Sequence, residues 1–170
     1  LYAAERYFAE DIGPDVLKTV IEKAFDFDIV LNNIDSKLFT LELFHGPTFA
    51  FKDFGARFMG QMFQRLNRSD EEIIILAATS GDTGSAVANG FLGVEGIKVV
   101  LLYPEGKVSP LQEAQMTSLG RNICPLRVKG TFDDCQRLVK QAFGDKALRV
   151  RKRITSANSI NLLRWIPQSF

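Results

Sequence analysis

Residues 73 to 84 read Ile73-Ile74-Ile75-Leu76-Ala77-Ala78-Thr79-Ser80-Gly81-Asp82-Thr83-Gly84. Their first half is an unbroken apolar run that opens with three isoleucines, which predicts a strand buried on both faces. Their second half combines small hydroxyl residues with glycines, a composition typical of a tight turn between a strand and a helix. Because parallel strands need crossover helices, a buried strand followed directly by a helix indicates an α/β fold with a parallel sheet.

The chain downstream repeats this pattern. Residues 98–103 predict a second buried strand, and residues 121–128 predict a weaker third, in which Pro125 suits an edge position because proline has no N–H to donate. A helix is predicted at 83–91, between the first two strands. The alternation of strand and helix at this spacing supports the parallel sheet.

Further helices and one more strand are predicted between these three strands and on either side of them. Ser109-Pro110 gives a helix N-cap followed by a proline at the first helical position. Thr131 with Asp134 resembles a capping box, although Glu or Gln is more usual at the second place. The remaining expectations are a helix at about 14–24, a short strand at about 38–43, and an amphipathic helix that begins at Asn161 and soon stops. We divide the chain into an N-terminal segment (1–65), an α/β lobe (66–152) and the start of a return into a larger lobe (153–170).

The composition excludes several classes of function. The chain has 170 residues, of which 46% are hydrophobic and 24% charged, with a formal net charge of +1. A nucleic-acid or anionic-membrane partner would need a surplus of basic residues, and no apolar run approaches the ~20 residues of a membrane span. The expected partner is therefore a small molecule, with no nucleic acid and no membrane.

The two cysteines, Cys124 and Cys135, have neither disulfide-framework nor metal-ligand spacing. They are expected to be thiols in a reducing compartment, and acidic residues near the start of the chain argue against a signal peptide. Both observations predict a cytoplasmic protein without a metal site. Because the chain begins with Leu1 rather than methionine, an upstream segment or leader is left open.

The turn at residues 79–84 is the first candidate site. A strand-to-helix turn of small residues presents backbone N–H groups at a helix N-terminus, which favours an anion, and ligands of open α/β sheets bind beyond the carboxyl ends of the strands. The alternative is a plain connection in which Asp82 or Thr83 only caps the helix. Neither the G-x-G-x-x-G pattern nor a P-loop is present.

The second candidate site is the segment His45-Gly46-Pro47-Thr48-Phe49-Ala50-Phe51-Lys52-Asp53-Phe54. Three phenylalanines flank one lysine and would partly desolvate Lys52, which favours the neutral amine that a Schiff base needs. The alternative is a surface lysine at the start of a helix. His45, the only histidine, either acts as an acid–base group or shapes the loop.

Four segments, in this order, resemble threonine synthases of the bacterial and fungal type. The first is the lysine segment just quoted, which resembles the H-G-P-T-x-x-F-K-D cofactor motif. The others are residues 78–84, 102–113 and 155–161. The likeness extends from about residue 38 to residue 170.

This resemblance implies the type II fold of pyridoxal phosphate (PLP) enzymes, similar to the tryptophan synthase β subunit, with its larger lobe incomplete in this chain. It implies that Lys52 holds PLP as a Schiff base and then moves protons as a free amine. The implied reaction converts O-phospho-L-homoserine and water to L-threonine and phosphate, a carbon–oxygen lyase reaction. The glycine-rich loop for the cofactor phosphate lies later in the family than this chain extends.

The resemblance also implies a set of binding residues. Ser80 and Asp82 contact the cofactor, although related enzymes have Asn at the Asp82 position and a carboxylate cannot donate unless protonated, so the role of Asp82 is open. The substrate carboxylate is held by the loop residues Thr79, Ser80, Gly81, Asp82 and Thr83. The substrate phosphate is held by Asn158, Ser159 and Arg164, where arginine offers a fork to phosphate oxygens; the alternative for Arg164 is a solvated helix residue.

Two other functions are compatible with these residues. A threonine-synthase-like phospho-lyase would share Lys52 and the 79–84 loop but release a keto acid. A non-catalytic small-molecule-binding α/β domain would keep the scaffold without the chemistry.

Overall fold

The structure is a computed structural model that describes residues 1–67, 71–158 and 161–168. The strands are β1 Val30–Asn33, β2 Phe39–Glu42, β3 Ile73–Ala78, β4 Ile97–Pro104, β5 Ile123–Val128 and β6 Arg153–Thr155. The helices are α1 Tyr2–Phe8, α2 Pro14–Ala24, α3 Lys52–Leu66, α4 Asp82–Gly90, α5 Pro110–Thr117, α6 Phe132–Gly144, α7 Lys146–Arg151 and α8 Leu162–Trp165, followed by a 3-10 helix at Ile166–Gln168.

The main sheet has four strands in the order β5-β4-β3-β6, and all its neighbours pair in parallel. The three predicted strands are confirmed as β3, β4 and β5, and Pro125 lies in an edge strand as expected. Strand β6 was not predicted. It has only three residues and pairs with β3 from Ile73↔Arg153 to Ile75↔Thr155, so its existence depends on a partner that is distant in sequence.

Strand β3 is covered on both faces, as the apolar run predicted. Ile75 and Ala77 belong to one core cluster, together with side chains of α3 and α4. The alternate residues Leu76 and Ala78 belong to another, which includes Cys135 of α6. Successive strand residues point to opposite faces, so helices enclose the sheet from both sides.

Helices α3 and α4 approach each other closely. A methyl group at Gly60 of α3 would lie 2.0 Å from the carbonyl oxygen of Gly90 of α4. Only a residue without a side chain allows two backbones to come this near. The contact fixes the helix that begins with Lys52 against the helix that follows the 79–84 turn.

Both predicted helix caps are present. Ser109 forms a capping box with Gln112 at the start of α5, and Thr131 forms one with Asp134 at the start of α6. The shorter aspartate is sufficient, because its carboxylate accepts the backbone N–H of Thr131, and this bond, with Arg137, lowers its pKa to about 2.

The segments outside the sheet agree only in part with the expectations. Helix α2 has the predicted bounds, and the predicted short strand is β2, which pairs with the unpredicted β1 in an antiparallel hairpin. The helix expected from Asn161 has only four residues before the 3-10 helix. Among the described residues, no helix has the length and apolar character to cross a membrane. The division into three segments stays a prediction.

Candidate functional site

Two loops leave the main sheet side by side. Residues 79–81 follow β3, and residues 156–158 follow β6. These strands are parallel neighbours, so both loops emerge at the carboxyl edge of the sheet, where ligands of open α/β sheets bind. The same edge of the sheet therefore carries the 79–84 turn and Asn158, whereas Ser159 lies outside the described residues.

The 79–84 turn is organised from within by Thr79. Its side chain is buried, and its hydroxyl oxygen accepts the backbone N–H of Gly84 at 2.8 Å and of Gly81 at 3.0 Å. Gly81, the N-cap of α4, has φ +141° and receives no side-chain cap bond. The interpretation in which Asp82 or Thr83 caps the helix is therefore wrong, since Thr79 binds the backbone instead. Ser80 and Asp82 are exposed and Thr83 is half-buried.

Helix α5 supports this turn. The Gln112 amide nitrogen donates to Asp82 Oδ1 at 2.5 Å, and the amide nitrogen of Gln115 lies 3.5 Å from the carbonyl oxygen of Thr48. One helix thus contacts both candidate segments. Sequence reasoning missed Gln112, although its place in the predicted helix cap was a signal that its side chain is oriented.

Lys52 is the first residue of α3, and its neighbour Asp53 holds the preceding turn. The Asp53 carboxylate is fully buried and accepts the backbone N–H of Thr48 at 2.9 Å and the Thr48 hydroxyl at 2.6 Å. Gly46 packs on this carboxylate, since a methyl group there would lie 2.5 Å from Asp53 Oδ2. The turn also contains Phe49 with φ +58°. Asp53 therefore fixes the backbone from which Lys52 projects, a role that the sequence analysis did not assign.

The expected aromatic surroundings of Lys52 are only partly present. Phe54 is buried, with its ring 5.1 Å from that of Phe27. Phe49 is 69% exposed and Phe51 is 43% exposed, although the Phe51 ring still lies 6.3 Å from that of Phe54. Lys52 itself is half-buried, in agreement with the partial desolvation that was expected, and the part that the three phenylalanines play in it stays a prediction.

His45 is engaged with its neighbours. Its Nε2 lies 2.6 Å from Glu42 Oε2, and its ring stacks on Phe44 with 4.8 Å between centroids. These contacts join the hairpin to the lysine segment, which favours the interpretation that His45 shapes the loop.

Arg164 is buried, with 1% of its surface exposed. One guanidinium nitrogen, Nη1, donates to the carbonyl oxygen of Ala157 at 2.7 Å. Its Nε has no hydrogen-bond partner, and no carboxylate lies within ion-pair distance of it in the described parts of the chain. Burial lowers its pKa to about 10. The interpretation of a solvated helix residue is therefore wrong.

The position of Arg164 relates it to the other site residues. A methyl group at Gly55, in the first turn of α3, would lie 2.6 Å from the Arg164 carbonyl oxygen. Ala157, which accepts its guanidinium bond, lies in the loop after β6. Arg164 thus connects the start of α3 with the carboxyl edge of the sheet.

A first prediction concerns the bond between Thr48 and Asp53. Thr48→Val removes the hydroxyl but keeps the shape of the side chain, so one oxygen of a buried carboxylate loses its partner. The free energy of unfolding should therefore fall by about 1–3 kcal/mol. Thr48→Ser keeps the hydroxyl and should recover most of that stability. Denaturant titration of the two variants measures the difference. Equal stability of Thr48→Val and Thr48→Ser would contradict the role of this bond.

Comparison with known proteins identifies the family to which this chain is similar. Residues 24–161 match the protein family described as pyridoxal-phosphate dependent enzyme. Threonine synthase of Buchnera aphidicola subsp. Acyrthosiphon pisum is 49% identical over 164 residues, which cover 96% of this chain and 38% of that protein.

Two crystal structures share the fold. Threonine synthase from Escherichia coli has 48% identity and a TM-score of 0.88, covering 98% of this chain and 39% of that one. PLP-bound threonine synthase from Brucella melitensis has 37% identity and a TM-score of 0.89, covering 95% and 36%. The chain spans less than two fifths of the length of these relatives. Because the family match takes in most of its residues, the chain belongs to the pyridoxal-phosphate-dependent enzymes of fold type II, a family whose cofactor is PLP, and its similarity within that family is to threonine synthases.

Proposed function

We propose that the protein is a threonine synthase, which converts O-phospho-L-homoserine and water to L-threonine and phosphate in the cytoplasm. The observation that carries the proposal is the presence of both Lys52 and Arg164 among the residues of the candidate site. Lys52 begins α3, and the backbone carbonyl of Arg164 packs against Gly55 in the first turn of that helix. The Arg164 guanidinium is buried and has no counter-ion in the described residues. The proposed reaction requires both groups: an amine that holds the cofactor and a cation that binds the substrate phosphate.

The residues fit PLP. Lys52 would supply the amine that holds the cofactor, and Ser80 and Asp82, which are exposed at the carboxyl edge of the sheet, would contact it. PLP, when bound, supplies an electron sink for carbanion chemistry. The Lys52 amine would hold and move the protons at the α- and β-carbons of the substrate.

The 79–84 loop suits the substrate carboxylate. Gly81, Asp82 and Thr83 stand at the N-terminus of α4, where the helix dipole favours an anion. The Ser80 and Thr83 hydroxyls can add donors. Thr79 contributes by holding the loop, because its hydroxyl already accepts two backbone N–H groups.

Arg164, with Asn158 and Ser159, is proposed to bind the substrate phosphate. A buried cation without a counter-ion is unfavourable, and a phosphate would supply both the charge and the acceptor that Nε lacks. The leaving phosphate would then depart next to a fixed positive charge, which stabilises the charge that develops.

Product analysis tests the proposal. The full-length protein, loaded with PLP and given O-phospho-L-homoserine, should release phosphate and L-threonine in equal amounts. Release of phosphate with a keto acid would instead assign a phospho-lyase. Absence of both products, in a protein that still binds the substrate, would assign a non-catalytic binding domain.

A further inference from the structure

We propose that Gln112 is a positioning residue for the site, which holds Asp82 as a hydrogen-bond acceptor and thereby fixes the 79–84 loop. The inference rests on the proposed function only for the identity of the loop's ligand. The contact itself stands on geometry.

The Gln112 carboxamide has a defined orientation. Its oxygen lies 3.3 Å from the Ser109 backbone nitrogen and 3.0 Å from the Ser109 hydroxyl. A backbone N–H can only donate, so the group that faces it must be the oxygen of the carboxamide. The NH₂ group is then directed to Asp82 Oδ1, 2.5 Å away. The hydrogen-bond partners of the Gln112 carboxamide thus determine which of its two ends is the oxygen and which is the nitrogen.

The same carboxamide lies directly on the loop backbone. A methyl group at Gly81 would overlap the Gln112 carboxamide, so a larger residue there would displace that side chain from its present position. Gly81 also has φ +141°, which favours glycine. Gln112 therefore contacts the N-cap of α4 and the side chain that follows it.

This contact answers the open question about Asp82. Its Oδ1 accepts from the Gln112 amide, so Oδ2 is the oxygen left to meet a ligand. It favours a group that donates, such as the ammonium group of an amino acid, and disfavours a ligand oxygen without a proton. The Asn of related enzymes would present a donor at this position, so Asp82 does not simply replace it.

Gln112 also caps α5, and substitutions can separate the two roles. Q112E keeps a residue that suits the capping box, but it places a second carboxylate against Asp82. D82N/Q112E exchanges donor and acceptor, since the new amide can donate to the new carboxylate. T131A is the matched control: it removes a side-chain cap of the same type from α6, which packs on the other face of the sheet.

The experiment measures amide hydrogen exchange at residues 81–84 in the full-length PLP-bound protein, together with KM and kcat. Q112E should accelerate exchange and raise KM about tenfold, the equivalent of one charge-assisted hydrogen bond. D82N/Q112E should restore exchange to near the original rate, and T131A should leave it unchanged. D82A removes the acceptor of the same hydrogen bond, so it should accelerate amide exchange at residues 81–84 as Q112E does.

Unchanged exchange in both Q112E and D82A would overturn the proposal, as would failure of the double variant to restore it. The exchange measurement needs no turnover. A protein that makes no threonine would therefore refute the proposed function while leaving the Gln112–Asp82 contact intact.

Discussion

Lys52→Ala is expected to abolish threonine formation and the covalent attachment of PLP while leaving the fold intact. Removal of a residue that both binds the cofactor and moves protons should lower kcat/KM by about a thousandfold or more. The fold should survive because the hydrogen bonds that hold this turn join Thr48 to Asp53 and do not involve Lys52. Within the described residues, Lys52 makes no ion pair. The free energy of unfolding should change by no more than about 0.5 kcal/mol.

Borohydride reduction of the PLP-bound protein, followed by peptide mapping, checks the assignment directly. The reduced cofactor should be found on Lys52, and the absorbance of the bound cofactor should be lost in Lys52→Ala. Lys107→Ala and Lys129→Ala are suitable controls, since both lysines are exposed outside helices and strands. Cofactor trapped on another lysine would refute the assignment.

The parts of the fold that follow from local pattern were predictable. Strand β3, the helix starts at Ser109 and Thr131, and the edge position of Pro125 each depend on a few neighbouring residues. Strands β1 and β6 were not predictable in this way, because each is short and exists only through pairing with a partner strand.

In the candidate site, too, features that depend on neighbouring residues were predictable, and features that depend on distant contacts were not. The motifs identified Lys52 and the 79–84 loop, but their supports lie in contacts that the sequence does not show. Gln112 reaches Asp82 across thirty positions of the chain. The role of Thr79 depends on the backbone conformation of the turn, and the burial of Arg164 depends on how α8 packs against α3. Spacing identifies residue types for chemistry, whereas burial and hydrogen-bond partners follow from the tertiary fold.

Arg164 allows a test in which stability and activity should move in different directions. Its charge is buried without a counter-ion in the described residues, and the lowered pKa, about 10, corresponds to an unfavourable free energy on the order of 3 kcal/mol for the charged form. Since arginine stays charged at neutral pH, the free protein carries this penalty throughout the physiological range. A bound phosphate would offset it. Inorganic phosphate should therefore raise the melting temperature of the protein, by an amount that grows with the logarithm of its concentration once it exceeds the dissociation constant.

Arg164→Met is the discriminating variant, because methionine keeps an unbranched apolar stem and removes the charge. Replacement of a buried charge by an apolar residue is often neutral or stabilising, so this variant should unfold no more easily than the original. Its turnover of O-phospho-L-homoserine should nevertheless fall by at least about a hundredfold, and its melting temperature should no longer respond to phosphate.

Arg164→Lys and Arg164→Ala complete the series. Lysine keeps a charge but loses the planar fork, so it should retain only part of the turnover. Alanine should lose turnover and also stability, since it leaves a cavity. None of the three should change the absorbance of bound PLP, because the cofactor is attached at Lys52. If Arg164→Met were destabilised but kept near-normal turnover, the guanidinium would be a packing element, and the substrate phosphate would have to be bound by a different part of the protein.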